Sequence, residues 1–152
     1  MTRTGATRTP LEAVQEFVRS YNAHDKQANH ATVSHEFVRY GSVTGWQPMG
    51  YESYKEIFDP FLKAFPDFHW EVTNLVPAGA WVAAEVIESA TFADDYHFRP
   101  DMIIKATGKS YVCHYAIFFK VNDGLITEYH FYEDPTFATQ LGIDMESIEM
   151  DT

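Results

Sequence analysis

The residues of this chain best suited to moving protons gather in two aromatic-rich runs, Lys109 to Val121 and Leu125 to Asp134, separated by Asn122-Asp123-Gly124. Aromatic and β-branched residues around a short turn ending in Gly signal a β-hairpin. A three-residue loop sets Val121 opposite Leu125, then Ile117 opposite Tyr129, Tyr115 opposite Phe131 and Cys113 opposite Glu133. Side chains alternate along strands, so His114, Ala116 and Phe118 share the other face with Glu128, His130 and Tyr132. In this register His114 and His130 are diagonal neighbours on that face, and a metal centre there lacks a third ligand. A β-bulge that turned His114 inward would make it the best general base of the chain, because imidazole titrates near neutrality. Tyr115 and Tyr129, with Tyr21 from an N-terminal helix, offer phenolic donors for a carbonyl or hydroxyl. The alternative is three core tyrosines with satisfied hydroxyls. Cys113 has no base partner and reads as a small buried apolar residue.

The elements that must position these groups follow from spacing. Thr9-Pro10 caps and starts a helix whose Leu11, Val14, Phe17, Val18 and Tyr21 recur at helical period and run to about Asn22 or His24. Tyr21 lies one turn after Phe17, on the same face. A short second helix is expected from Lys26 to Val33, and a strand from Glu36 to Val43. Tyr54, Ile57, Phe58, Phe61, Leu62 and Phe65 mark a third helix over Tyr51 to Phe65, with a kink near Asp59 because of Pro60. Strands follow at Phe68 to Val76 and Trp81 to Phe92. Ala93 to Gly108 reads as a loop holding Asp94, Asp95 and His97, with Met102 to Ile104 as a short strand or lid anchor. Pro135 to Leu141 gives a last helical turn, and the acidic tail after Ile143 is expected to be mobile. Repeats and linkers are absent, so the order α-α-β-α-β-β-β-β belongs to one α+β domain over residues 1–152, with its core at about 10–142 and flexible ends.

Composition narrows the functional classes. The 152 residues suffice for one domain with a real core, and 45% apolar with 22% charged residues is ordinary for a globular protein. The aromatic content of 16% is high, which suits either a core or a pocket for flat ligands. A formal net charge of −11 opposes binding to nucleic acid or anionic membranes. The single cysteine excludes an internal disulfide. A run of about 20 apolar residues is absent, so no membrane span is read. The first ten residues lack the apolar centre of a signal sequence and read as a frayed start, and a cytoplasmic protein is the expectation.

Several short motifs resemble one family in order and spacing. They are Tyr21-Asn22-Ala23-His24-Asp25 closing the first helix, Phe65-Pro66-Asp67-Phe68 entering the sheet and Gly108-Lys109 before the hairpin. Asn122-Asp123-Gly124-Leu125-Ile126 at the turn and Gln140-Leu141-Gly142 near the end complete the set. Together the chain resembles the SnoaL-like polyketide cyclases of the NTF2-like superfamily over roughly residues 11–142. The resemblance implies a cone, with three N-terminal helices packed on a curved, mostly antiparallel sheet around a deep apolar pocket. It also implies a homodimer through the outer sheet face. The same cone hosts cyclases, epoxide hydrolases, isomerases, dehydratases and binders, so fold alone does not give activity.

The family's acid–base residues do not carry over intact. Phe131 stands where cyclases and epoxide hydrolases of this type place an Asp, and Tyr129 where they place His or Trp. Ile117 replaces the cyclase His, and Phe17 the isomerase oxyanion Tyr. Glu88 matches a second Asp of the epoxide hydrolases. A carboxyl in an apolar cone has a raised pKa and can act as acid or base, unless Glu88, like Glu85, faces solvent on an edge. Arg39 matches a polar position that holds a catalytic water, and it is set to pair with Glu88, anchor an acidic substrate group, or lie exposed on its strand. Phe17, Phe37, Arg39, Trp46, Phe61, Ile117 and Phe131 are the expected substrate-binding residues, with Trp46 at the pocket mouth. The loop at 93–108 is longer than in relatives and is a candidate lid.

The resulting expectation is a cofactor-independent, metal-free cyclase or isomerase acting on a hydrophobic polyketide-like small molecule. Glu88 or His114 would move the proton, with Tyr21, Tyr115 and Tyr129 as donors, or positioning would drive most of a ring closure. A non-catalytic binder of hydrophobic metabolites and a hydrolase or dehydratase using Glu88 and a water are the alternatives.

Overall fold

The computed structural model describes residues 7–42, 45–143 and 148–150. Helix α1 covers Pro10–Asn22. Its start is a capping box: the Thr9 hydroxyl accepts from the Glu12 amide at 3.1 Å, and the Glu12 carboxylate accepts from the Thr9 amide at 2.9 Å. Ala13, Val14, Phe17, Val18 and Tyr21 form its buried stripe. Helix α2 is Lys26–His30, shorter than expected, because Val33 already begins β1, Val33–Gly41. The Val43 end expected for that strand lies outside the described residues.

A two-residue strand β2, Met49–Gly50, leads into α3, Tyr51–Ala64, which continues through Pro60. The sheet then adds β3, His69–Ala78, and β4, Trp81–Thr91. Within the segment expected as a loop, Met102–Ile104 is the short strand that is one of its two expected readings; as β6 it forms a hairpin with β5, Tyr96–Arg99, which is not expected. The long hairpin is β7, Ser110–Asn122, and β8, Leu125–Tyr132. Helix α4, Phe137–Leu141, and β9, Ile148–Met150, follow. Strand β9 pairs with β6, so this part of the tail is ordered against the β5–β6 hairpin; the rest of the acidic tail lies outside the described residues.

The main sheet has the order β2-β1-β8-β7-β4-β3, with β1 and β8 parallel and the other pairs antiparallel. The second sheet is β5-β6-β9. The layout is α+β, as the sequence implies. The core lies between α1, α3 and the inner face of the main sheet, where Phe17 touches the rings of Tyr21, Tyr54, Trp70, Phe119 and Tyr129.

A bulge sets the register of the long hairpin. The β7–β8 turn holds two residues, Asp123 and Gly124, both at positive φ, and pairs Asn122 with Leu125. A bulge next to Val121 then shifts the ladder, so Ile117 faces Phe131 and Phe119 faces Tyr129. The expected pairing of Ile117 with Tyr129 is therefore wrong by two residues, one from the shorter turn and one from the bulge. Ile126 is buried in place of Leu125, which is exposed. The added residue restores the parity, and Tyr129 and Phe131 still point inward.

Candidate active site

Strand β4 lies between β3 and β7, so Glu88 is not on a sheet edge. Val82, Ala84, Val86, Glu88 and Ala90 alternate inward along it, and Glu85 faces out. Period two thus delivers one carboxyl to an otherwise apolar face. Glu88 is 5% exposed. Its Oε1 accepts from Trp70 Nε1 at 2.6 Å, and its Oε2 accepts from the Tyr111 hydroxyl at 2.6 Å.

Burial pushes the Glu88 carboxyl up to about 7, against the lowering effect of hydrogen bonds from Tyr111, Trp70 and Tyr115. Desolvation outweighs these bonds, and the Glu133 carboxyl adds to the rise. Burial also raises Tyr21, Tyr115 and Tyr129 above the ordinary phenol value, and Tyr96 to about 12. All four phenols therefore stay protonated at neutral pH and serve as donors. Glu88 titrates close to neutrality.

Glu88 borders a cavity of about 990 Å³ enclosed by the inner sheet face, α3 and the β5–β6 hairpin. Of the expected site residues, Tyr21, Tyr115 and Tyr129 line it, together with Arg39, Phe61 and Phe131. Tyr129 and Phe131 lie with their ring planes 16° apart and centroids at 5.8 Å, making one flat wall. Arg39 places its guanidinium over both rings, at 5.4 and 5.3 Å from the centroids. The expected Arg39–Glu88 ion pair is not formed.

Five expected residues fall elsewhere. His114 is exposed on the outer face of β7, where its amide donates to Asp134. Among the described residues the bulge of the hairpin leaves β7 regular, which keeps His114 outside. His114 and His130 are not diagonal neighbours either: His130 pairs with Phe118, four residues and about 13 Å from His114. Trp46 is 42% exposed, packs on Tyr132 and does not line the cavity. Phe17, Phe37 and Ile117 are buried core residues behind the cavity wall.

The sequence reading missed Trp70, Tyr111, Tyr96 and Glu133. Trp70 and Tyr111 are the two donors that hold Glu88, and Tyr96, Glu133 and Trp70 line the cavity. Tyr111 was within reach of parity arguments, since it shares the inner face with Cys113 and Tyr115. Trp70 was not. The β3–β4 turn pairs Ala78 with Trp81, a register that puts Trp70 opposite Ser89. A bulge between Val72 and Asn74 slips it by one, opposite Glu88.

A sheet and helices closing on one deep apolar cavity define a cone of the NTF2-like type. The SnoaL-like domain family matches residues 14–129, and the chain belongs to that family. Among solved structures, IdmH from Streptomyces antibioticus, described as a candidate polyketide cyclase, is 19% identical with a TM-score of 0.74, over 90% of this chain and 100% of that one. A SnoaL-like candidate polyketide cyclase from Jannaschia is 14% identical with a TM-score of 0.75, over 95% and 99%. A candidate polyketide cyclase from Bacillus cereus is 26% identical with a TM-score of 0.68, over 88% and 80%. No curated protein sequence matches.

Proposed function

We propose that this protein is a cofactor-independent cyclase or isomerase that holds a hydrophobic, polyketide-like molecule in the cavity and moves a proton through Glu88. One observation carries the reading: the buried Glu88 carboxyl, poised near neutrality, borders a large aromatic cavity. The names of the structural neighbours agree with it.

The chemistry follows from the donors. As a carboxylate, Glu88 takes a proton from a carbon beside a carbonyl of the bound substrate. Its bonds to Trp70 and Tyr111 fix its direction. The enolate oxygen that forms is met by a hydroxyl of Tyr115 or Tyr129, which burial keeps protonated. Protonated Glu88 then returns the proton, to a different carbon in an isomerisation or to the new alkoxide in a ring closure. Protons balance within the site.

The flat Tyr129–Phe131 wall favours a second reading, in which the cavity folds the substrate for a ring closure that needs no proton transfer. The test is to incubate a linear poly-β-ketone with the protein and follow products by mass spectrometry. Glu88→Gln should lower turnover by about 100-fold or more if Glu88 moves the proton. Retained turnover selects the positioning reading. Binding without conversion by the unaltered protein selects a metabolite-binding role and overturns the enzyme. A product that has gained water selects a hydrolase.

The outer sheet face bears exposed Val112, Phe118 and Tyr132, and an apolar face of this kind suits pairing with a second copy of the chain. No helix among the described residues is long and apolar enough to cross a membrane.

A further inference from the structure

Two part-buried charged side chains line the cavity with neither a hydrogen bond nor an ion pair among the described residues. Arg39 donates no hydrogen bond and meets no carboxylate among the described residues; its guanidinium lies only over the Tyr129 and Phe131 rings. Glu133 follows β8, on the inward parity of Tyr129 and Phe131, and also borders the cavity. Its Oε1 is shut away from solvent with no hydrogen-bond partner among the described residues.

The geometry explains how the two stay near each other yet apart. Arg39 pairs with Tyr129 across the β1–β8 ladder, and Gly41 pairs with Phe131. Gly41 has no side chain, and a Cβ there would lie 3.8 Å from Glu133 Oε1. Arg39 and Gly41 are two residues apart on one face of β1, about 7 Å along the strand. The guanidinium and the carboxyl thus flank the same ring wall. An unpaired buried acceptor beside an unpaired donor set lowers stability, and apolar residues of similar shape would fold better. Such a cost is expected where a ligand completes the bonds.

We propose that Arg39 and Glu133 form a second polar pole of the cavity, which binds the oxygenated edge of a flat substrate. One oxygen of that edge accepts from the guanidinium, and a neighbouring hydroxyl donates to the Glu133 carboxyl. The chemistry fits an enol or phenol with oxygens on alternate carbons, seated against Tyr129 and Phe131. Rotation about the last bond of Glu133 is soft and two-fold, so either oxygen reaches the cavity. Glu88 is not needed for this contact, since Trp70 and Tyr111 already hold it. The pole rests on reading the cavity as the substrate site.

Calorimetric titration with 1,3-dihydroxynaphthalene and 1,3-dimethoxynaphthalene tests it. Both offer acceptors to Arg39, but only the first donates to Glu133. The unaltered protein should bind the dihydroxy compound about tenfold tighter or more. Glu133→Leu should bring the two dissociation constants together while the thermal midpoint stays level or rises. Glu133→Gln keeps the shape, guards against a folding defect in the leucine variant, and should lower the ratio several-fold. Equal affinities in the unaltered protein, or a ratio unchanged in both variants, overturn the pole while leaving the cavity reading intact. Failure of both compounds to bind overturns the cavity reading and the pole with it.

Discussion

Trp70 and Glu88 are direct cross-strand neighbours on β3 and β4, and the indole N–H donates to the carboxylate at 2.6 Å. With Tyr111 on the other side, the pair holds a buried carboxyl in one orientation. Each donor favours the charged form, so each holds the Glu88 pKa below where burial alone would set it.

Trp70→Phe should therefore raise the Glu88 pKa above about 7. The indole is lost but the aromatic packing is kept. Carbon NMR titration of labelled glutamate carboxyls measures the shift. A pKa that stays put or falls would show that the indole N–H does not stabilise the charged form.

The same burial makes stability depend on pH. In the folded chain Glu88 keeps its proton up to about 7, whereas the unfolded chain releases it near 4.5. The folded state binds more protons in that window, so the contribution is fully favourable below about 4.5, declines as pH rises, and levels off above about 7. The decline amounts to about 3 kcal/mol as an order of magnitude, from the 1.36 kcal/mol per unit relation. Glu88→Gln should flatten this part of the profile in urea unfolding at a series of pH values.

Thr9→Ala removes the side-chain half of the capping box of α1. It should lower stability by about 1 kcal/mol without touching the cavity. Urea unfolding at fixed pH reads the change, and ligand binding should be unaltered.

Ending the chain at Ile143 removes the strand that pairs with Met102–Ile104. Amide exchange across β6 should speed up while β4 and β7 stay protected. Unchanged exchange at β6 would show that β9 adds nothing to the order of the β5–β6 hairpin beside the cavity.

Phe118→Glu places a charge in the middle of the exposed outer face. If two copies pair there, light scattering should show a shift from twice 17.4 kDa to a single chain. A single-chain mass for the unaltered protein would remove the dimer.

Much of the fold was legible because local signals agreed with one another. Thr9-Pro10 marked the first helix, period 3.6 marked α3, and alternation marked β4 and the β7–β8 hairpin. The β5–β6 hairpin was legible only at Met102–Ile104, since its strands are short and its third partner comes from the distant tail. Trp46 was misplaced for a related reason, whereas His114 lies on the outer face that its register gave and the bulge that would have turned it inward does not occur in β7. Neither the path of a loop nor a single strand's bulge is encoded in periodicity.

By itself, the sequence determined which side chains share a face. Period two put Tyr115, Tyr129 and Phe131 on one face, the family resemblance marked that face and Glu88 as inward, and all four line the cavity in the structure. Only the tertiary structure decided which of them meet. Two one-residue bulges slid β3 against β4 and β8 against β7, bringing Trp70 to Glu88 and Ile117 to Phe131. A bulge costs little locally and leaves no periodic trace, yet it moves every later pair by one position. Register is fixed by how the whole sheet closes around its cavity, through contacts between residues far apart in the chain.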